Sequence, residues 1–215
     1  SPAMMRRAPQ ESIAQVIDWL IDIHRLTTPP TNDWFEQLAQ PALQDLEAKL
    51  PSTEMDLLVK LREILRPLQG ARLPYVVEHG DLGHPNIVRM AGGRIGVIDW
   101  ETSSLNGLIG GDLFFFLSYA AFSLNHANER GSFTDIFREA FFGVDAWAVP
   151  YIERYLQHIS IPRSVLAPIF VLQWTRYLSS LLTRVSAGES DQSAGSVRAT
   201  PHENRYFELW RYAIT

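Results

Sequence analysis

The chain has 215 residues, of which 46% are hydrophobic and 20% charged, a composition typical of a globular protein and not of a disordered one. The net charge of −5 argues against nucleic-acid partners, and the absence of cysteine excludes disulfides and Cys-ligated zinc. No apolar run approaches the roughly 20 residues that cross a bilayer, so we expect no membrane partner. With no signal-peptide pattern at its start, we expect a cytoplasmic protein with one domain over 1–215.

The first third of the chain is predicted to be helical, because its apolar residues recur at helical spacing. Three helices are expected there, over 12–26, 32–46 (with a break or kink at Pro41) and 51–68.

Two short β-rich runs follow, over 87–90 and 94–98, with Ala91-Gly92-Gly93 between them. A Gly-Gly pair in this position favours a two-residue hairpin turn. Counting outward from that turn places Asn86 opposite Asp99, and opposed residues in an antiparallel pair have Cα atoms about 4.5–5.5 Å apart.

The open end of this hairpin is the candidate site. Asp81 precedes the first strand, so three oxygen-bearing side chains, those of Asp81, Asn86 and Asp99, are predicted to converge. Few and hard oxygen ligands suit Mg²⁺ better than Zn²⁺. Each residue alone is an ordinary turn or cap former; their combination favours a functional site.

The remainder is again helical. The expected helices lie over 110–125, 132–142, 145–159, 163–186 and 201–212, and a Ser-, Gly- and Ala-rich stretch predicts a flexible loop over 186–200. The predicted fold class is therefore mainly α with a small β-hairpin region, an α+β fold.

The run 76–117 resembles the aminoglycoside phosphotransferase and choline kinase-like family, which has a protein-kinase-like fold. The family's His-Gly-Asp-x-x-x-x-Asn loop matches 79–86, and its Ile-Asp-Trp/Phe-Glu segment matches 98–101. Of the family's Gly-Asp-x-x-x-Asp-Leu stretch, only the second half is present, at 110–113.

The resemblance implies a role for each matched polar residue. Asp81 would orient and deprotonate an acceptor hydroxyl. Asn86 and Asp99 would hold Mg²⁺ and, through it, the phosphates of ATP or GTP. These roles suit phosphoryl transfer, which depends on positioning and charge neutralisation.

Four further residues acquire expected roles. His79, in the catalytic loop, would brace that loop by hydrogen bonding. Gly80 is expected to be structural, and Asp112 is expected to be the buried acid that supports the loop. Glu101 would either face the acceptor or cap the segment that follows.

The chain reads as the C-terminal lobe alone, with its catalytic core at 76–112. The helix at 19–26 resembles the one that follows the family's hinge, and 1–4 reads as a remnant of a cloning vector. No glycine-rich phosphate loop is present, and the two lysines, Lys49 and Lys60, lie in helical contexts.

We therefore expect a phosphotransferase that moves the γ-phosphate of a nucleotide to a hydroxyl of a small, aminoglycoside- or choline-like molecule, weakly or not at all as an isolated lobe. The alternative is a non-catalytic kinase-like binding or interaction module. An N-lobe or a second copy of the chain could cover the exposed lobe interface.

Overall fold

A computed structural model describes residues 9–26, 28–159, 161–186 and 204–215. The chain forms two compact units: Ser1–Pro30 with Leu73–Arg163, and Thr31–Arg72 with Ser164–Thr215. The expectation of a single domain stays a prediction, and the vector remnant expected at 1–4 lies outside the described residues.

The described residues confirm the predicted fold class, since α-helices dominate and the strands are short and antiparallel. The strands are β1 (Val76–Glu78), β2 (Ile87–Arg89), β3 (Ile95–Val97) and β4 (Ser104–Gly107). The α-helices are α1 (Pro9–His24), α2 (Gln40–Lys49), α3 (Met55–Leu65), α4 (Gly111–Leu124), α5 (Ala127–Arg130), α6 (Phe133–Phe141), α7 (Val149–His158), α8 (Leu166–Ser186) and α9 (Arg205–Ile214).

The hairpin is present, but its predicted register is wrong by one residue. Ile87 pairs with Val97, and Met90 donates its N–H to the carbonyl of Arg94 at 2.8 Å. The loop is therefore the three residues 91–93, two of which are glycines with φ of 76° and 78°. Because two- and three-residue hairpin loops can both use residues with positive φ, a Gly-Gly pair does not by itself determine the register.

Strand β4 was not expected from the sequence. It pairs antiparallel with β1, and a Cβ on Gly107 would lie 2.0 Å from the Cβ of Glu78, so only glycine allows this approach. The run Ser104–Gly107 lacks the apolar alternation that identifies a strand.

Helix α4 is the core of the first unit. Its residues from Gly111 to Ala121 are buried with the single exception of Tyr119, as expected of a helix that is apolar on all sides. It packs against α1 and α6. At its N-terminus, the side chain of Asp112 accepts a hydrogen bond from His79, the residue that follows β1.

The second unit is built around α8, which packs against α2, α3 and α9. Among the described residues, Arg163–Ser186 is long and apolar enough to cross a membrane, and 67% of its most apolar window is buried within the protein, as in a core helix. The break predicted at Pro41 corresponds to the point where a π-helix, Phe35–Ala39, gives way to α2. Apart from Ser186, the loop predicted at 186–200 lies outside the described residues.

Both lysines lie in helices of this unit. Lys49 Nζ is 2.6 Å from Asp45 Oδ1. Burial alone would raise the pKa of Asp45, but hydrogen bonds from Lys49 and Ser179 outweigh it and lower that pKa. Lys49 is therefore committed to a structural ion pair.

His24, the last residue of α1, is fully buried. Its Nδ1 lies 2.6 Å from the hydroxyl of Tyr155 and its Nε2 lies 3.2 Å from the carbonyl oxygen of Val77. Burial lowers the pKa of His24 from 6.5 to about 4, against the raising effects of the Val77 carbonyl and of Glu78. The imidazole is therefore neutral near pH 7.

A pKa lowered on folding makes stability depend on pH. The unfolded chain takes up a proton on His24 below about pH 6.5, whereas the folded chain does so only near pH 4, so His24 lowers the free energy of unfolding as pH falls through this window. Between pH 7 and pH 4 the loss from this group is roughly 3 kcal/mol. Urea unfolding at several pH values should show a steeper pH dependence for the wild type than for His24→Gln; parallel curves would contradict the assignment.

Candidate active site

The side chain of Asp112 supports the loop that carries Asp81. Asp112 is 2% exposed. Its Oδ2 accepts a hydrogen bond from the N–H of His79 at 2.6 Å, and its Oδ1 accepts one from the N–H of Gly80 at 2.9 Å. Its place in the first turn of α4 also favours a negative charge, because helix N-termini carry partial positive charge. This is the bonding expected of a brace.

Gly80 is required by its backbone and by its surroundings. Its φ is 81°, and a Cβ there would lie 2.7 Å from the carbonyl oxygen of Thr102. The Thr102 hydroxyl donates to the carbonyl of His79 at 2.9 Å. Thr102 thus packs over the loop from outside, a role without any sequence signature.

His79 connects the loop to the segment before Asp99. The ring is fully buried, with Nε2 2.9 Å from the carbonyl oxygen of Ile98 and the N–H of Asp81 3.3 Å from Nδ1. Because a carbonyl only accepts, Nε2 carries the proton and Nδ1 accepts. Both nitrogens are therefore occupied by backbone groups, as expected for a bracing role, and the Trp100 ring packs at 4.8 Å between centroids.

Asp81 and Asn86 are in direct contact. Asn86 Nδ2 donates to the Asp81 carbonyl at 2.8 Å and to its Oδ2 at 3.1 Å. Asn86 is 8% exposed, whereas Asp81 is exposed to solvent. This orientation directs the amide N–H₂ group to Asp81 and leaves Oδ1 as the atom of Asn86 that could bind a cation.

Asp99 lies one residue beyond the position opposite Asn86 that was predicted for it. The observed register brings Ile98 opposite Asn86, with the Ile98 N–H 3.0 Å from the Asn86 carbonyl, so the direct Asn86–Asp99 pair predicted from the sequence is wrong. Asp99 follows with φ of 63°, a left-handed conformation that is uncommon outside glycine and often marks functional sites. Its side chain is exposed.

The donor set fits Mg²⁺. Asn86 and Asp99 offer an amide oxygen and a carboxylate, the hard ligands that this cation prefers. Within the described ranges no group of three or more His, Asp or Glu side chains could hold a metal. A site with so few protein ligands suits a cation that also binds phosphate oxygens and water.

Two acidic residues complete the surroundings. Glu78, which was not predicted, is 4% exposed and accepts a hydrogen bond from the N–H of Leu108 at 3.1 Å, which ties β1 to the segment leading into α4. Glu101 is exposed, and among the described residues its side chain makes no hydrogen bond that would cap the following segment.

The mainly helical fold and the comparison with known families place the chain among the phosphotransferases. The family model of the phosphotransferase enzyme family, APH, matches residues 2–151, and the chain belongs to this family. The match contains every residue of the site from Glu78 to Asp112, and it confirms the resemblance described from the sequence. No curated protein and no solved structure matches the chain.

Removing the Asp112 carboxylate should destabilise the protein. Asp112→Ala leaves the N–H groups of His79 and Gly80 without their acceptor, which costs about 1–3 kcal/mol in the free energy of unfolding. Asp135→Ala is the control: it removes a surface acid whose ion pair with Arg138 is mostly exposed, and it should change stability by less than about 1 kcal/mol. Equal effects of the two variants in urea titrations would contradict the bracing role.

Two substitutions of Asp99 can separate the effect of its backbone conformation from the effect of its carboxylate. Glycine tolerates φ of 63°, whereas alanine does not, so Asp99→Gly should be more stable than Asp99→Ala by about 1 kcal/mol. Both variants lack the carboxylate and should be equally impaired in binding a metal nucleotide. Identical melting temperatures would show that Asp99 does not hold this conformation in solution.

Proposed function

We propose that this chain transfers the γ-phosphate of ATP or GTP to a hydroxyl of a small, aminoglycoside- or choline-like molecule. The contact between Asn86 and Asp81 is the observation that carries the proposal. This contact holds the exposed Asp81 carboxylate, which can bind a hydroxyl, beside the Asn86 amide oxygen, which can bind a cation.

In the proposed step, the Asp81 carboxylate orients the acceptor hydroxyl and takes its proton. The hydroxyl oxygen forms a bond to the γ-phosphorus while the bond from that phosphorus to the bridging oxygen breaks, and the nucleoside diphosphate leaves. Asn86 Oδ1 and the Asp99 carboxylate would hold Mg²⁺, which when bound neutralises phosphate charge. Glu101, exposed two residues after Asp99, would face the acceptor.

Turnover by this chain alone should be slow. Phosphoryl transfer normally uses a lysine or arginine to hold the phosphates. The two lysines of the sequence, Lys49 and Lys60, lie in the helices α2 and α3 and not on a strand, and Lys49 is paired with Asp45. Much of the charge neutralisation would then have to come from the bound cation.

A second candidate is a non-catalytic module that binds an N-lobe or another copy of the chain. It is favoured by exposed apolar side chains on the hairpin and on β4: Met90 (48% exposed), Ile98 (48%) and Leu105 (77%). Sedimentation of the wild type against Leu105→Asp would detect self-association through this region. A partner-binding role alone predicts that Asp81 can be replaced without loss of function.

The decisive trial is phosphate transfer from a γ-labelled nucleotide across a panel of hydroxylated acceptors. We expect turnover well below the roughly 1–100 s⁻¹ of kinases, and a further fall of about 10²–10⁴-fold in Asp81→Asn. Asp22→Asn, which alters an exposed carboxylate on α1, should leave the rate unchanged. Absence of transfer with every acceptor, or transfer that survives Asp81→Asn, would refute the proposal.

A further inference from the structure

His24 and Tyr155 make a buried hydrogen-bond chain next to the site. Both side chains are fully buried, and their rings meet edge to face with centroids 5.7 Å apart. One end of the chain is the carbonyl of Val77 in β1, which accepts from His24 Nε2. At the other end, the Tyr155 hydroxyl lies near the backbone of Gly110, which acts on the pKa of that hydroxyl as a hydrogen-bond partner does.

The Val77 carbonyl can only accept a hydrogen bond, and this determines which group donates in each of the bonds that follow. Because Nε2 of His24 must donate to the Val77 carbonyl, Nδ1 of the neutral ring must accept from the Tyr155 hydroxyl. With its proton used in this way, that hydroxyl can accept from the N–H of Gly110. Each of these polar groups is therefore satisfied in the buried interior, and none is left to be satisfied by water.

The two ends of the hydrogen-bond chain lie close in sequence to the two residues of the brace, His79 and Asp112. Val77 is two residues before His79, and Gly110 is two residues before Asp112. Since Asp112 accepts from the N–H of His79, the backbone and these hydrogen bonds form a ring through β1, α1, α7 and the start of α4, in which the approach of Tyr155 to Gly110 is the last link. A ring of this kind resists the separation of β1 from α4 more strongly than the brace alone.

We propose that His24 and Tyr155 are positioning residues, which hold β1 and the N-terminus of α4 at the separation that the Asp112 brace requires and so set the position of Asp81. The inference rests on the proposed function only for its effect on catalysis. Its structural part concerns the loop itself and can be tested without any activity.

The test compares Tyr155→Phe with Tyr151→Phe. The first variant removes the bond of the hydroxyl to His24 and its approach to Gly110, and it keeps the aromatic ring. The second removes the hydroxyl of the tyrosine one turn earlier on α7, which makes only a 3.4 Å contact to the carbonyl of Gln10. Amide hydrogen exchange is followed by NMR at His79 and Gly80, whose N–H groups bind Asp112. Phe116 and Leu117 in α4 serve as reference amides.

We expect Tyr155→Phe to accelerate exchange at His79 and Gly80 by about tenfold or more relative to the reference amides, because the opening is local. Tyr151→Phe should leave this ratio unchanged. A uniform acceleration of all four amides, as a general loss of stability would give, or no acceleration, would overturn the proposal. If Tyr155→Phe does not fold, His24→Gln is measured by the same criteria.

Kinetics separate this inference from the proposed function. In a wild type that transfers phosphate, Tyr155→Phe should lower kcat with little change in the KM for nucleotide, and an unchanged kcat would overturn the positioning role. A wild type without transfer would refute the proposed function, while the exchange experiment would still decide whether the network holds the loop.

Discussion

The site depends on one interaction: the carboxylate of Asp112 accepts hydrogen bonds from two consecutive backbone N–H groups. A buried N–H without an acceptor costs as much as a lost hydrogen bond, so a loop that turns its N–H groups inward needs such a partner. Once His79 and Gly80 are held in this way, the left-handed conformation of Gly80 turns the chain and brings Asp81 to the surface.

Burial decreases in steps from this interaction outward. Asp112 and His79 are buried, Asn86 is 8% exposed, and Asp81 and Asp99 are exposed. The groups assigned to support therefore lie in the interior, where low dielectric strengthens hydrogen bonds. The two carboxylates assigned to chemistry, those of Asp81 and Asp99, lie where a substrate can reach them. Such an arrangement keeps the reactive groups in place without removing them from solvent.

The sequence predicted well what depends on local pattern. Helical periodicity located α1, and the apolar run from Leu113 to Leu124 located α4. The site predicted from the spacing of Asp81 and Asn86 stays a prediction. The sequence could not predict the hairpin register, because glycines with positive φ at 92 and 93 suit loops of either length. Strand β4 was missed because its residues lack alternation.

Three further supporting residues were beyond prediction for a different reason. Thr102, Glu78 and Tyr155 act through contacts with segments far away in the chain, and no spacing or motif marks them. A threonine or a tyrosine in a helix or turn has many ordinary uses. Only the folded chain shows which of these residues meets the loop.

We propose that Asn86 and Asp99 hold one cation beside Asp81, on the loop that Asp112 braces. Paramagnetic Mn²⁺, used in place of Mg²⁺ with a non-hydrolysable nucleotide, broadens NMR signals steeply with proximity and so locates the bound ion. We expect the strongest broadening at the amides of these three residues, and its loss in Asp99→Asn. Broadening centred on other residues, or broadening unchanged by Asp99→Asn, would contradict a cation site at Asn86 and Asp99.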